Sequence, residues 1–239
     1  MMKNVISYAL SKQKKIEIIN FDKIKFKIYV NSMISNSRLL LDIKGYNLNY
    51  RFKKGDMVVD AGAYNGLSTI YAALKVGPKG KVVAIEPDPY TRQILTRNIN
   101  LNHLKNVIIV AKGLYSKPTK MNFDVQGIGS RLQIYNQNIP TINTIRVDSL
   151  DNILLKDLKI NKVDFIQMDI EGAEVEALKG CKKIVMLNKG IQFAIASYHI
   201  VNGERTSHQL EKIFESYGLK AETKNIFHLT TYANWLHNT

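Results

Sequence analysis

One stretch limits the fold more than any other. Asp60-Ala61-Gly62-Ala63-Tyr64-Asn65-Gly66 follows a short apolar run, Met57, Val58 and Val59. Twenty residues after Gly66, Glu86-Pro87-Asp88 closes a second run, Val82, Val83, Ala84 and Ile85. A strand, a glycine turn, a helix and a strand ending in an acid is the plan of a nucleoside-binding α/β unit. Glycine lets the backbone approach a ligand closely, and the acid can accept both hydroxyls of a ribose.

A dinucleotide fingerprint would read Gly-x-Gly-x-x-Gly. Here Gly62 and Gly66 are four apart, and Tyr64 fills the middle position. No tight pyrophosphate turn is evident. S-adenosylmethionine (SAM) has no phosphates and needs none. Asp60, just before the turn, suits a ligand with an ammonium group, directly or through water. The spacing fits SAM at least as well as NAD. An ordinary strand–turn–helix of some other α/β domain stays open.

At 239 residues and 45% hydrophobic content, the chain suits one globular α/β domain with an added segment. The single cysteine, Cys181, excludes an intrachain disulfide and a cysteine metal cluster, and it suits a reducing compartment. No apolar run approaches the ~18–20 residues needed to span a bilayer. The expectation is a soluble, cytoplasmic protein. Net charge is +14, and residues 1–54 carry 12 Lys/Arg against 3 Asp/Glu. That basic front could meet RNA, an anionic membrane surface or a phosphorylated substrate, or it could be a solvated surface.

The alternation of Ile24, Phe26, Ile28 and Val30 with Lys25, Lys27 and Tyr29 has a strand period. Residues 16–52 are expected to form a small strand-rich cap over one edge. Two domains are expected: an N-terminal extension over 1–52 and the main domain over 53–239. Lys53-Lys54-Gly55-Asp56 reads as the turn into the first core strand. Leu67, Ile70, Tyr71 and Leu74 give a helical stripe ending at Gly77-Pro78. Asp88 before Pro89 reads as a helix N-cap, with Tyr90, Ile94, Leu95 and Ile99 facing inward. The third strand is 107–110. Residues 112–147 break the alternation and read as an inserted hairpin or lid, with residues 126–131 a mobile segment over the acceptor. Buried strands follow at 163–168 and 191–196. Thr206 with Gln209 reads as a capping box, and 219–224 with 226–232 as a closing antiparallel pair.

Ligands of open α/β sheets bind outside the carboxyl ends of the strands. Asp60, Glu86, Asp169 and His199 sit at four such ends. Asp169-Ile170-Glu171-Gly172-Ala173-Glu174 is the sharpest local feature after the glycine turn. Asp169 and Glu171 can both point into the cleft, Gly172 relieves crowding, and Glu174 reads as a helix-terminus carboxylate. No Asn-Pro-Pro-Tyr or Asp-Pro-Pro-Tyr element is present, nor a Gly-x-x-x-x-Gly-Lys-Ser/Thr loop, a Gly-x-Ser-x-Gly elbow or a His-Glu-x-x-His pair. Cys181, without a preceding proline, is a poor pyrimidine-C5 nucleophile.

Taken together the motifs resemble the FkbM family of SAM-dependent methyltransferases. The stretches that carry this are 58–66, 85–89, Asn98-Ile99-Asn100-Leu101-Asn102, Val147-Asp148-Ser149-Leu150-Asp151 and 164–174, in the family's order. The resemblance implies a Rossmann-like, seven-stranded, mostly parallel sheet with an antiparallel last strand. It also implies methyl transfer to a hydroxyl of a sugar, glycolipid or related metabolite. Two positions depart from it. Gln167 stands where members often carry Lys, and Ser197-Tyr198-His199 stands where many carry Glu-x-His.

The expected cofactor set is Asp60, Ala61, Gly62, Ala63, Tyr64, Gly66, Ser68, Glu86, Pro87 and Asp88. Asp169, Glu171 and His199 are the catalytic candidates, with Asp169 preferred over His199 as proton acceptor. Ser130, Arg131 and Tyr198 are the acceptor-side candidates. A divalent ion at Asp169 and Glu171 is an alternative way to lower the hydroxyl pKa, and it is not the preferred one. Two other readings stay open. An RNA methyltransferase would use the basic front for phosphate contacts, and residues 85–110 also resemble tRNA methyltransferases. A protein that only binds SAM would act as a sensor or scaffold.

Overall fold

Alternation at the start of the chain becomes a hairpin. The computed structural model describes residues 15–29, 36–124, 131–132 and 143–235. Ile16–Phe21 (β1) and Ile24–Tyr29 (β2) pair antiparallel. Phe26 and Ile28 are buried while Lys25 and Lys27 face water, as a two-residue period requires. Ile19, Phe26 and Ile28 pack with Ile70 and Leu95 of the main domain. Burying each such side chain stabilises by roughly 1.5–3 kcal/mol.

The strand-rich expectation for 16–52 holds for the hairpin alone. Asn36–Tyr46 is a helix (α1). Ile43 and Tyr46 turn inward on it, with Leu39 half-buried one turn earlier. The run Leu39-Leu40-Leu41 blurs that helical period in the sequence.

Met57–Ala61 (β3), Leu67–Val76 (α2), Lys81–Ile85 (β4), Pro89–Leu101 (α3) and Val107–Val110 (β5) follow the expected alternation. Gly55 takes the turn into β3 at φ +94°. Asp88 caps α3, its carboxylate accepting from the backbone N–H groups of Tyr90 and Thr91. Ile94, Leu95 and Ile99 are buried and Tyr90 is half-buried.

The irregular stretch after β5 is a small sheet rather than a crossover helix. Gly113–Leu114 (β6), Thr119–Asp124 (β7), Arg131–Leu132 (β8) and Asn143–Asp148 (β9) pair in the order β6-β9-β7-β8. A π-helical turn, Asn152–Asp157, returns the chain to Phe165–Met168 (β10). Glu174–Lys179 (α4), Lys182–Leu187 (α5) and Gln192–Ala196 (β11) come next. A two-residue hairpin, Ile200–Val201 (β12) with Glu204–Arg205 (β13), precedes Thr206–Ser216 (α6). Leu219–Asn225 (β14) and Leu229–Trp235 (β15) close the described chain.

The expected capping box at Thr206 does not form. Arg205 holds the N-cap position, and Thr206 Oγ1 is buried without a hydrogen-bond partner. Its hydroxyl lies inside the helix start, one residue too late to cap.

The seven-stranded sheet has the order β14-β15-β11-β10-β3-β4-β5. β15 runs antiparallel to β11 and β14, and β11, β10, β3, β4 and β5 are parallel. This is the mostly parallel, Rossmann-like sheet that the sequence resemblance implies, with its last strand reversed. Val59, Val83, Ile166 and Ile195 are fully buried, as parallel strands covered on both faces must be. On the far side of β10, Phe165 stacks on Tyr50 with ring centroids 4.4 Å apart. No helix among the described residues is long and apolar enough to cross a membrane.

Candidate active site

The strand ends on one edge of the sheet open into a cavity of about 460 Å³. One wall is Gly62, Ala63, Tyr64, Ser68, Glu86 and Pro87. Its opposite wall holds Asp169, Glu171 and Tyr198, and α1 contributes Arg38, Asp42 and Tyr46.

Glu86 ends β4 and is 6% exposed. Its Oε2 accepts the Tyr64 backbone N–H at 2.8 Å, and its Oε1 that of Asp88 at 2.9 Å. Each oxygen keeps a lone pair for a hydroxyl. Burial pushes the carboxyl up to about 7, against the pull of those N–H groups and Thr91.

Four of the expected cofactor residues do not line the cavity. Asp60, Ala61 and Asp88 are buried, and Asp88 is spent on the cap of α3. Asp60 accepts from Thr69 Oγ1 and from Gln167 Nε2, the latter at 3.3 Å. Gln167 in turn accepts from Ser68 at 3.0 Å, and both of these residues face the cavity. Asp60 thus orients the wall from behind. Burial lifts its carboxyl to about 6, with the Thr69 bond pulling the other way.

The glycines answer to packing before ligand. A Cβ on Gly62 would lie 1.8 Å from the Asp169 carbonyl oxygen, and one on Gly66 would lie 2.5 Å from Leu95 Cδ1. Gly62, at φ +84°, lets the end of β3 close against the end of β10.

The turn after β10 builds the opposite wall. Glu171 has φ +57° and Gly172 φ +101°. A non-glycine residue held there costs on the order of 1–3 kcal/mol, and such strain gathers at functional sites. Glu174 braces the turn, its Oε1 accepting the N–H groups of Ile170 at 2.9 Å and Gly172 at 3.2 Å.

Asp169 is the focus of this wall. Its Oδ2 accepts from Tyr46 Oη at 2.6 Å and Tyr198 Oη at 2.9 Å. Its Oδ1 is covered and has no hydrogen-bond partner. Burial raises the carboxyl's pKa, while His199 and the Tyr46 hydrogen bond oppose this.

His199 does not line the cavity. It stands behind Asp169 and Glu171, with a side chain 12% exposed. Its Nε2 lies 3.4 Å from Glu171 Oε2 and 3.7 Å from Asp169 Oδ1, and its Nδ1 3.1 Å from Glu174 Oε1. Burial alone would lower its pKa, but Glu171, Glu174 and Asp169 lift it to about 10. An imidazolium at neutral pH is a poor proton acceptor.

Ser130 and the segment 126–130 lie outside the described residues, so the expected lid does too. The backbone of Arg131 belongs to β8. Four residues of the site were not singled out from sequence. Arg38, Asp42 and Tyr46 sit in a helix with no motif around it. Glu174 was read as a helix-terminus carboxylate, and it is one, but it also faces His199. The third acid of Asp-x-Glu-Gly-Ala-Glu was the available signal.

With this geometry in hand, the chain can be set beside known proteins. The family model described as Methyltransferase FkbM domain matches residues 60–220. Methyltransferase 1 of Beauveria bassiana is 24% identical over 149 residues, covering 54% of this chain and 59% of its own length. The chain therefore spans less than two thirds of that relative. A solved FkbM methyltransferase from Methylobacillus flagellatus superposes with a TM-score of 0.55 at 22% identity, over 77% of this chain and 44% of that one. Fibrillarin from Aeropyrum pernix, solved with natively bound SAM, superposes with a TM-score of 0.55 at 14% identity, over 92% and 83% of the two chains. These two likenesses concern the fold. The family match covers both walls of the cavity except α1, and on it the chain belongs to the FkbM methyltransferase family.

Proposed function

We propose that the chain transfers a methyl group from SAM to a hydroxyl of a sugar, glycolipid or related metabolite. The observation that carries this is the pairing of two walls in one cavity. Glu86 and the glycine turn stand on one side, and an acidic wall centred on Asp169 stands on the other. SAM is the cofactor. Glu86 would hold its ribose, and its sulfonium and ammonium groups would suit a cavity lined by Glu86, Asp42, Asp169 and Glu171.

The reaction is mainly one of positioning. Bound there, SAM would supply an electrophilic methyl to an in-line acceptor oxygen, with S-adenosylhomocysteine as the leaving group. The hydroxyl proton must go to a nearby base. Asp169 is that base, held in place by Tyr46 and Tyr198. His199 is a positioning residue that fixes Asp169 and Glu171. An acceptor with its own hydroxyls suits a wall of carboxylates and phenols.

A second reading has one observation in its favour. Lys25 and Lys27 project from the outer face of the hairpin into solvent, where they could contact RNA phosphates. Methyl-labelled SAM offered with glycans, lipids and RNA separates the readings. Label in a glycan or glycolipid supports the first, and label in RNA the second. SAM binding without label in any class would leave a protein that binds the cofactor and does not turn it over.

A further inference from the structure

We infer that His199 Nε2, Asp169 Oδ1 and Glu171 Oε2 form a binding site for one divalent first-row metal ion at the edge of the cavity. One ligand atom from each of these three residues lies within 4.8 Å of the other two. Nε2 is 3.7 Å from Asp169 Oδ1 and 3.4 Å from Glu171 Oε2. A tetrahedral ion with bonds of about 2.1 Å sets its ligand atoms roughly 3.4 Å apart.

The alternative for such a cluster is a closed ion-pair network. Its hydrogen bonds do not bear that out. Neither nitrogen of His199 makes one, although three carboxylates lie within ion-pair distance. Asp169 Oδ1 is likewise covered and unpartnered. Buried polar atoms of this kind call for a ligand.

The surroundings are those of metal ligands. A ligating histidine usually gives its other ring nitrogen to a carboxylate, which fixes the ring. Glu174 stands on that side of the ring, within ion-pair distance of Nδ1. It is fully buried, its Oε1 is 3.1 Å from His199 Nδ1, and its Oε2 has no partner. That leaves Nε2 for the ion. A ligating carboxylate is in turn hydrogen-bonded. Tyr46 and Tyr198 both donate to Asp169 Oδ2 and leave Oδ1 over. The backbone adds to this, since Glu171 is held at φ +57° and Gly172 at φ +101°. That turn brings Glu171 within reach of the strand end that carries His199.

One imidazole and two carboxylates suit zinc or manganese better than magnesium, whose ligands are oxygens. Ligation replaces the proton on Nε2. Three protein ligands leave at least one position for water or an acceptor oxygen. Asp169 and Glu171 both line the cavity, so an ion on them borders it. Use of the ion in methyl transfer rests on the reading above, but binding of the ion does not.

The test therefore uses metal alone, without SAM or acceptor. The metal-stripped protein is titrated with Co²⁺ and followed by its visible d–d absorption. The expected result is a band that saturates at one equivalent, with the intensity of low coordination, and disappears on adding Zn²⁺. Glu171→Gln and His199→Gln should each abolish it, with circular dichroism showing that the fold is kept. If one variant fails to fold, the other and the wild-type titration still decide. No saturable band in the wild type overturns the site and leaves the ion-pair network, as does an unchanged band in a folded Glu171→Gln protein. SAM binding measured separately by calorimetry shows whether the cofactor reading stands or falls on its own.

Discussion

The Tyr46 hydroxyl donates to Asp169 Oδ2 at 2.6 Å across 123 residues of sequence. Tyr46 itself is pinned from the other side. The preceding carbonyl, that of Gly45, accepts from Tyr232 Oη at 2.6 Å, and the Tyr46 ring lies 4.6 Å from that of His228. The last strand of the sheet thus fixes an N-terminal helix, which fixes an acid at the centre of the cavity. A hydrogen bond to a charged group stabilises by about 1.5–3 kcal/mol. Tyr46→Phe should lower kcat roughly tenfold or more and leave SAM affinity close to wild type. Unchanged kcat would show that Tyr198 alone suffices to hold Asp169.

Asp169 carries the chemical step in the proposed reaction. Asp169→Asn keeps the shape and removes the base. A positioned base contributes ~10²–10⁴-fold, so kcat should fall by that order while SAM affinity, read by calorimetry, changes little. Wild-type turnover in this variant would place proton removal elsewhere.

Glu86 supplies a pH dependence whose sign is fixed. Its folded pKa, about 7, lies above the ordinary carboxyl value of 4.5. The folded state therefore holds a proton that the unfolded state has released between those values, and stability falls as pH rises through this window. SAM binding should show the opposite trend, because in the proposed reading the ionised carboxylate accepts both ribose hydroxyls. Affinity should weaken as pH drops below about 7. The charged neighbours are Asp88, whose charge raises the Glu86 pKa, and Arg92, which donates to the Glu86 carbonyl. Glu86→Gln should flatten both profiles and bind SAM less tightly. A sloped affinity profile persisting in Glu86→Gln would assign the titration to another group.

Gly62 tests the packing account of the glycine turn. An added Cβ would meet the Asp169 carbonyl oxygen at 1.8 Å, a backbone atom that cannot swing aside. Gly62→Ala should lower the melting temperature by several degrees and weaken SAM binding, since β3 and β10 would have to part. Gly190→Ala is the control, because nothing lies within 4 Å of its Cβ position. Equal melting temperatures for the two variants would argue against this account.

The sheet was legible because its signals are local. The strand at 57–61, the N-cap at Asp88 and the buried strand at 165–168 each rest on a few neighbouring residues. Asp169 and Glu171 were legible for the same reason, since a strand end and a glycine mark them. Tyr46 left no trace, because its role depends on a partner 123 residues away. Asp60 and Gly66 were read as ligand contacts, yet they serve Gln167 and Leu95, which sequence spacing does not reveal. His199 was found, but its three acidic neighbours come together only in the fold.

The helix α1 also bears on how such proteins diverge. The family model spans residues 60–220, so Tyr46 falls outside the stretch that relatives are expected to share. Of the cavity lining, Arg38, Asp42 and Tyr46 on α1 are therefore written outside that stretch, while Asp169, Glu171 and Tyr198 lie within it. Lineages could vary the front segment and reshape one side of the cavity without altering the rest of its lining. A chimera joining residues 1–52 of one relative to the remainder of another should keep the second parent's cofactor affinity and differ from it only where α1 meets the cavity.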